Sequence, residues 1–275
     1  MKTSLRMLAL GAAVLALMAG SGCNKLKARD QLNKGVQQYK GGKYEEAISH
    51  FQQAVTLDPS LLNARLYLAT AYAQQYIPGA PGEENERNAN EAINEFQKVL
   101  DMHPPRDQQI ASLKGIASLY FNMKKLDQAK EYHEKVAQMD PNDPEAYYSI
   151  GVIDWTETYQ PNMEERSKIG LKPDEPIKDK KVCEALQQKN SDAVKEGIDA
   201  LNKALSLRPD YDDAMAYMNL LYRQKADIEC GDPAARAADL KTADEWVDKT
   251  MATKKAKAEK QPGATGIVAD QPANK

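Results

Sequence analysis

Gly41–Ser60 reads GGKYEEAISHFQQAVTLDPS. Tyr44, Ala47, Ile48, Phe51, Ala54 and Val55 recur at the i, i+3, i+4, i+7 spacing of one helix face. Lys43, Glu45, Glu46, His50, Gln52 and Gln53 fill the other side. Gly41 and Gly42 break the chain before this helix, and Asp58-Pro59 stops it. The apolar stripe carries two alanines, so another helix must pack closely on it. Alone it cannot bury that stripe, so it reads as one unit of an array.

The same grammar returns at NEAINEFQKVLDMHPP (90–105), DQAKEYHEKVAQMDPND (127–143) and EGIDALNKALSLRPDY (196–211), and more weakly at TADEWVDKTM (242–251). Pro59, Pro104, Pro141 and Pro209 close four of these five helices. Each proline is followed by a second helical pattern with small residues of its own: Asn63 to Ala69, Pro144 to Gly151, and Asp212 to Tyr217 after the last.

This pairing resembles the tetratricopeptide repeat, a helix–turn–helix unit of 34 residues. The resemblance rests on Gly35, Ala47, Phe51, Ala54 and Pro59 in repeat one, and on Leu68, Ala69, Tyr72, Ala92, Phe96 and Pro104 in repeat two. Repeat three supplies Leu113, Ile116, Ala117, Tyr120, Ala129, Val136 and Pro141. Repeat four supplies Tyr147, Ile150, Gly151, Leu201, Ala204 and Pro209, and repeat five Met215, Met218, Tyr222 and Ala243. It implies an all-α fold, a TPR-like right-handed α-solenoid of about five helix-turn-helix repeats with insertions. Repeats are expected at about 28–61, 62–106, 110–143, 144–211 and 212–251, together a domain over 28–251.

The spacing of Ala47, Ala92, Ala129, Gly197 and Ala243 is 45, 37, 68 and 46 residues, so surplus chain lies at 76–86, 156–190 and 226–238. The first surplus holds Pro78-Gly79-Ala80-Pro81-Gly82, a loop, and Glu83-Glu84-Asn85-Glu86 then suits the start of a lengthened helix. In the largest, Pro161 is expected to end a helix, MEERSKI to form a short one, and a long helix to begin near Lys178. That surplus is one repeat length, so it reads as an insertion or as a decayed sixth repeat.

Both ends depart from this pattern. Lys2 and Arg6 precede an apolar run from Met7 to Met18, which fits a signal-peptide core and is short for a membrane span. Ala19-Gly20-Ser21-Gly22-Cys23 resembles the lipobox of bacterial lipoproteins, with Gly20 where that family usually has Leu. The resemblance implies a signal peptide over 1–22, acylation of Cys23 and a short anchor linker over 23–27. Asn24 in place of Asp then favours the outer membrane, facing the periplasm; ordinary cleavage would leave a soluble periplasmic or secreted protein. Loss of Lys2 and Arg6 takes the formal charge from −3 to −5. Residues 252–275 lose the periodicity, gain Gly, Pro and Lys, and read as a disordered Lys-rich tail, in which AKAEK (256–260) can still prolong the last helix and disorder is expected from about Gln261.

The small net charge and the absence of a basic stripe exclude a nucleic-acid partner as the expected ligand. Cys183 and Cys230 would share an oxidising compartment, where two cysteines form a disulfide or remain as surface thiols. His50, His103 and His133 are scattered, so no metal and no cofactor are expected, and no catalytic constellation is visible. An enzyme is therefore not expected. The repeat resemblance implies instead a groove lined by first helices that binds a protein or peptide. Its positions carry over to Leu32, Val36 and Tyr39, to Leu66 and Thr70, to Lys114, Phe121 and Asn122, to Tyr148 and Trp155, and to Arg223. Aromatic residues there suit apolar anchors of a partner, unless Tyr148 and Trp155 pack beneath the repeat-four insertion. The implied function is a lipid-anchored scaffold in outer-membrane or pilus assembly; the alternative is a module that recruits or regulates a peptidoglycan enzyme.

Overall fold

The computed structural model describes residues 23–172 and 175–260. Residues 1–22 and 261–275 lie outside that range, and with them the signal-peptide reading and most of the expected tail. The described chain is all-α, built from helices paired as tetratricopeptide-like hairpins. They are α1 (23–40), α2 (Tyr44–Leu57), α3 (Leu62–Gln75), α4 (Glu83–Asp101), α5 (Arg106–Asn122) and α6 (Leu126–Met139), then α7 (Pro144–Lys168), α8 (Lys180–Leu207), α9 (Asp212–Asp227) and α10 (Pro233–Lys260). By contacts the chain divides within α6 into two compact units, Met1–Lys135 and Val136–Lys275.

The stripe of α2 is buried as its spacing requires. Ala47, Phe51 and Ala54 have no exposed surface, and Leu32, Val36 and Tyr39 of α1 pack on the same cluster with Leu68 and Ala71 of α3. Gly35 of α1 faces the Phe51 ring, where an added Cβ would lie 2.4 Å from Cε1. Small residues thus let the two backbones approach while one large ring fills the space between them. Gly42, at φ 74°, makes the turn into α2. Asp58 makes the turn out, accepting from the Ser60 amide at 3.1 Å.

The surplus residues mostly lengthen helices. Residues 76–82 form a loop, and Glu83–Glu86 are the first turn of the 19-residue α4. Pro161 does not end α7, contrary to the sequence expectation. The helix runs through it to Lys168, and MEERSKI is its last part. Proline within a helix removes one backbone donor at a cost of about 3 kcal/mol. Here the turn beyond it is anchored to α9 by Asn162 and Arg166, which holds the chain helical. The Thr158 hydroxyl bonds back to the carbonyls of Asp154 and Trp155, each at 3.0 Å.

Two further expectations are corrected. Residues 23–27, taken as a linker, are the first turns of α1. Residues 252–260, placed in the tail, continue α10, as AKAEK allowed: Lys254 and Lys257 reach back to Asp212 at the start of α9 and Thr253 to Met215.

The second unit is held together where two surplus segments meet. Cys183 of α8 is bonded to Cys230 in the α9–α10 turn, with Cα atoms 5.7 Å apart. Arg166, 1% exposed, pairs with Asp227 at 2.5 Å and donates to Asn162 and to the carbonyls of Lys172 and Glu175. Asn162 donates in turn to Gln224 at 2.9 Å and Asp227 at 3.1 Å. Gln187 closes the set on the Ile228 carbonyl at 3.0 Å.

Candidate partner-binding face

The carried-over groove residues divide by what they touch. In the first unit, Leu32, Val36 and Tyr39 are committed to the α1–α2–α3 cluster, Tyr39 with its ring 5.3 Å from Tyr44 and 6.2 Å from Tyr67. Leu66 packs on the next cluster, around Phe96 and Ile116. The Thr70 hydroxyl bonds back to the Leu66 carbonyl at 2.7 Å. Lys114 is half-buried on α5. Phe121 carries the Lys124 ammonium 5.9 Å from its ring, and the Asn122 carbonyl accepts from the Tyr76 hydroxyl at 3.3 Å. Leu32, Val36, Tyr39 and Leu66 thus also serve packing, each partly buried against a cluster.

The second unit differs. Tyr148, Val152, Trp155 and Tyr159 fall at i, i+4, i+7 and i+11, one stripe along α7. Tyr217 of α9 fits between them, 5.7 Å from the Tyr148 ring and 5.4 Å from Trp155, edge-on to both. Tyr159 stacks on Trp155 at 4.9 Å and is 39% exposed. Tyr148 and Trp155 therefore pack against the next repeat's first helix, and Trp155 also against Tyr159 of the surplus segment. Edge-to-face and stacked pairs fix ring orientation beyond simple burial. The stripe is thus a rigid apolar surface whose outer edge meets solvent.

Its electrostatics come from the base of α9. Burial pushes the Tyr148 phenol up to about 12, helped by Tyr217, Asp213 and Glu145, so it stays a neutral donor at ordinary pH. Burial also raises Tyr217. Burial alone would raise the Glu145 carboxyl, but hydrogen bonds from Tyr211 and Arg208 outweigh it and hold it below its usual value. Arg223 lies apart, tied to Asn219 at 2.9 Å and to Asp244 of α10 at 2.8 Å.

Tyr159 and Tyr217 are the residues that sequence reasoning missed. The i+4 step from Trp155 to Tyr159 was a readable signal, hidden by taking 156–190 as insertion. Among the described residues, no group of three His, Cys, Asp or Glu is arranged to hold a metal ion. No described helix is long and apolar enough to cross a membrane. Cys23 is exposed and unpaired at the start of α1.

Family models described as "TPR repeat" and "Tetratricopeptide repeat" match residues 35–75 and 115–143. No curated protein sequence matches the chain. Among solved structures, MamA superposes with a TM-score of 0.56 at 15% identity, over 90% of this chain and 98% of that one. MamA from Desulfovibrio magneticus RS-1, residues 41 to the end, gives 0.54 at 18% identity, over 84% and 96%. YrrB, described as a TPR protein with an unusual peptide-binding site, gives 0.50 at 14% identity, over 82% and 90%. At such identities the likeness is one of fold, and it agrees with the helix pairing and the small-residue contacts: the chain carries tetratricopeptide repeats.

Proposed function

We propose that the protein is a periplasm-facing scaffold, anchored by a lipid on Cys23, that holds a partner protein on the aromatic stripe of α7 and α9. The observation that carries this reading is the Trp155–Tyr159 stack, an ordered aromatic pair left at the surface beside Tyr217. Rigid, partly exposed aromatic side chains are the usual anchors of protein recognition, because they bury much area and lose little entropy. A peptide-binding site in YrrB, a protein of similar fold, supports a binding role for the repeats. The positive start, apolar run and small residues before Cys23 support the anchor. Assembly of outer-membrane proteins or pili is the setting we infer from the lipoprotein resemblance.

The test is crosslinking from a photoreactive residue at position 159 in intact cells. Membrane-assembly proteins are expected in the product, and Trp155→Ala with Tyr217→Ala is expected to weaken their capture about tenfold or more. Recovery of cell-wall enzymes or peptidoglycan fragments instead would overturn the assembly role. Palmitate labelling that persists after Cys23→Ser would remove the anchor.

A further inference from the structure

The surplus of repeat two builds a cleft on a different part of the molecule, among α2, α3 and α4, with a volume of about 790 Å³. Pockets of roughly 300–1,000 Å³ are the size that takes a ligand or a short run of peptide. Its wall is the 76–82 loop, and that loop is ordered by one side chain. Asn85 accepts from the Ile77 amide at 2.7 Å and donates to the carbonyls of Ile77 and Ala80, both at 2.9 Å. The clasp holds Ile77 outward, 63% exposed, beside Ile48 and Tyr72 in the same cleft.

Gln52 donates to the Tyr72 hydroxyl at 2.7 Å across this cleft, while four other polar groups of its lining are uncommitted among the described residues. Gln75 and Asn88 line it and make no side-chain hydrogen bond among the described residues. Glu45 and Glu83 line it without an ion pair among the described residues, whereas Glu84 pairs with Arg87 at 3.4 Å. Three carboxylates thus face one guanidinium. Acidic residues in a first helical turn are explained locally by the helix dipole. Their convergence is not, because Glu45 belongs to α2 and Glu83 and Glu84 to α4. These two helices run parallel on either side of α3, so their starts open into one space.

We propose that this cleft is a second binding site, for an extended peptide segment with Lys or Arg beside an apolar residue. The carboxylates complement the cation, Ile48, Tyr72 and Ile77 receive the apolar side chain, and the amides of Gln75 and Asn88 pair with the peptide backbone. The site is independent of the aromatic stripe and stands or falls without it.

The probe is a fluorescein-labelled KLKKLK hexapeptide, titrated against the purified chain and followed by anisotropy, with ELEELE as its counterpart. KLKKLK is expected to bind and to weaken as salt rises, and ELEELE not to bind. Glu45→Gln, Glu83→Gln and Glu84→Gln together are expected to weaken KLKKLK about tenfold. Gln75→Lys, a cation that suits the end of α3, keeps the test decisive should the triple variant lose its helical signal; it is expected to abolish binding. Trp155→Ala, which acts on the aromatic stripe, is expected to leave KLKKLK binding at this cleft as it is. Equal binding of ELEELE, unaltered binding by Gln75→Lys, or a loss with Trp155→Ala would each overturn the proposal.

Discussion

An added Cβ at Gly151 would lie 2.5 Å from Leu201 Cγ and 3.2 Å from the Gly197 carbonyl oxygen. The second neighbour is backbone and cannot turn aside. Alanine is the better helix former by about 1 kcal/mol. Overpacking a closed core nevertheless costs about 1–3 kcal/mol. Gly151→Ala is therefore expected to lower stability by about 1 kcal/mol in urea unfolding followed by circular dichroism; a gain would show that α7 and α8 are free to part. Arg166 poses the opposite problem, a buried charge whose worth lies in its partners. Arg166→Ala leaves Asp227 without its cation and is expected to cost about 3–5 kcal/mol. Arg166→Met with Asp227→Leu removes both charges and should recover part of that loss in the same assay, the rest staying with the Asn162 oxygen and the Lys172 and Glu175 carbonyls that lose their donor.

Among the elements, α10 shows how a periodic pattern can fade while the helix goes on. Asp212 accepts from Lys257 and also faces Lys254, which together hold its carboxyl below the usual 3.8 against the effect of burial. A lowered folded value means the contact stabilises the charged form. Its contribution is complete above pH 3.8 and is lost as pH falls through the lower folded value. Asp212→Asn is expected to speed amide exchange in residues 252–260 at neutral pH and to leave Ala234–Lys241 of the same helix unchanged. Unchanged exchange at 252–260 would mean that helix propensity alone holds this end. The lengthened α7 and α8 follow the same rule, since Pro161 is tolerated where tertiary contacts anchor the turn beyond it.

At the scale of the whole molecule, each repeat touches mainly its neighbours, so stabilising terms act locally. The Cys183–Cys230 bond spans 47 residues of sequence, which in the chain-entropy account is worth about 4 kcal/mol. Cys183→Ser with Cys230→Ser is expected to raise amide exchange in α8 and α9 and to leave α2 to α4 as they are. A uniform rise along the chain would show that the bond stabilises the array as one cooperative body.

The sequence by itself determined the helix pairing and the repeat type, though not every helix end. The reason is local: a helix face is written by residues three and four apart, and Gly41–Ser60 holds every residue that sets its own stripe. The candidate site was legible only in part. Tyr148 and Trp155 could be placed on the right helix face, but whether they were free, committed to the next repeat or covered by the insertion depended on α9. Leu32, Val36 and Tyr39 pack partly buried against the first cluster, because the same spacing serves a groove and a packed face alike. Only the tertiary structure decided where the surplus chain goes. Arg166 and Asp227 lie 61 residues apart, Cys183 and Cys230 47, and no periodicity links them. They meet because the surplus segments carrying them, lengthened helices and the α9–α10 turn, reach one another, and burial then requires each charge to find its partner.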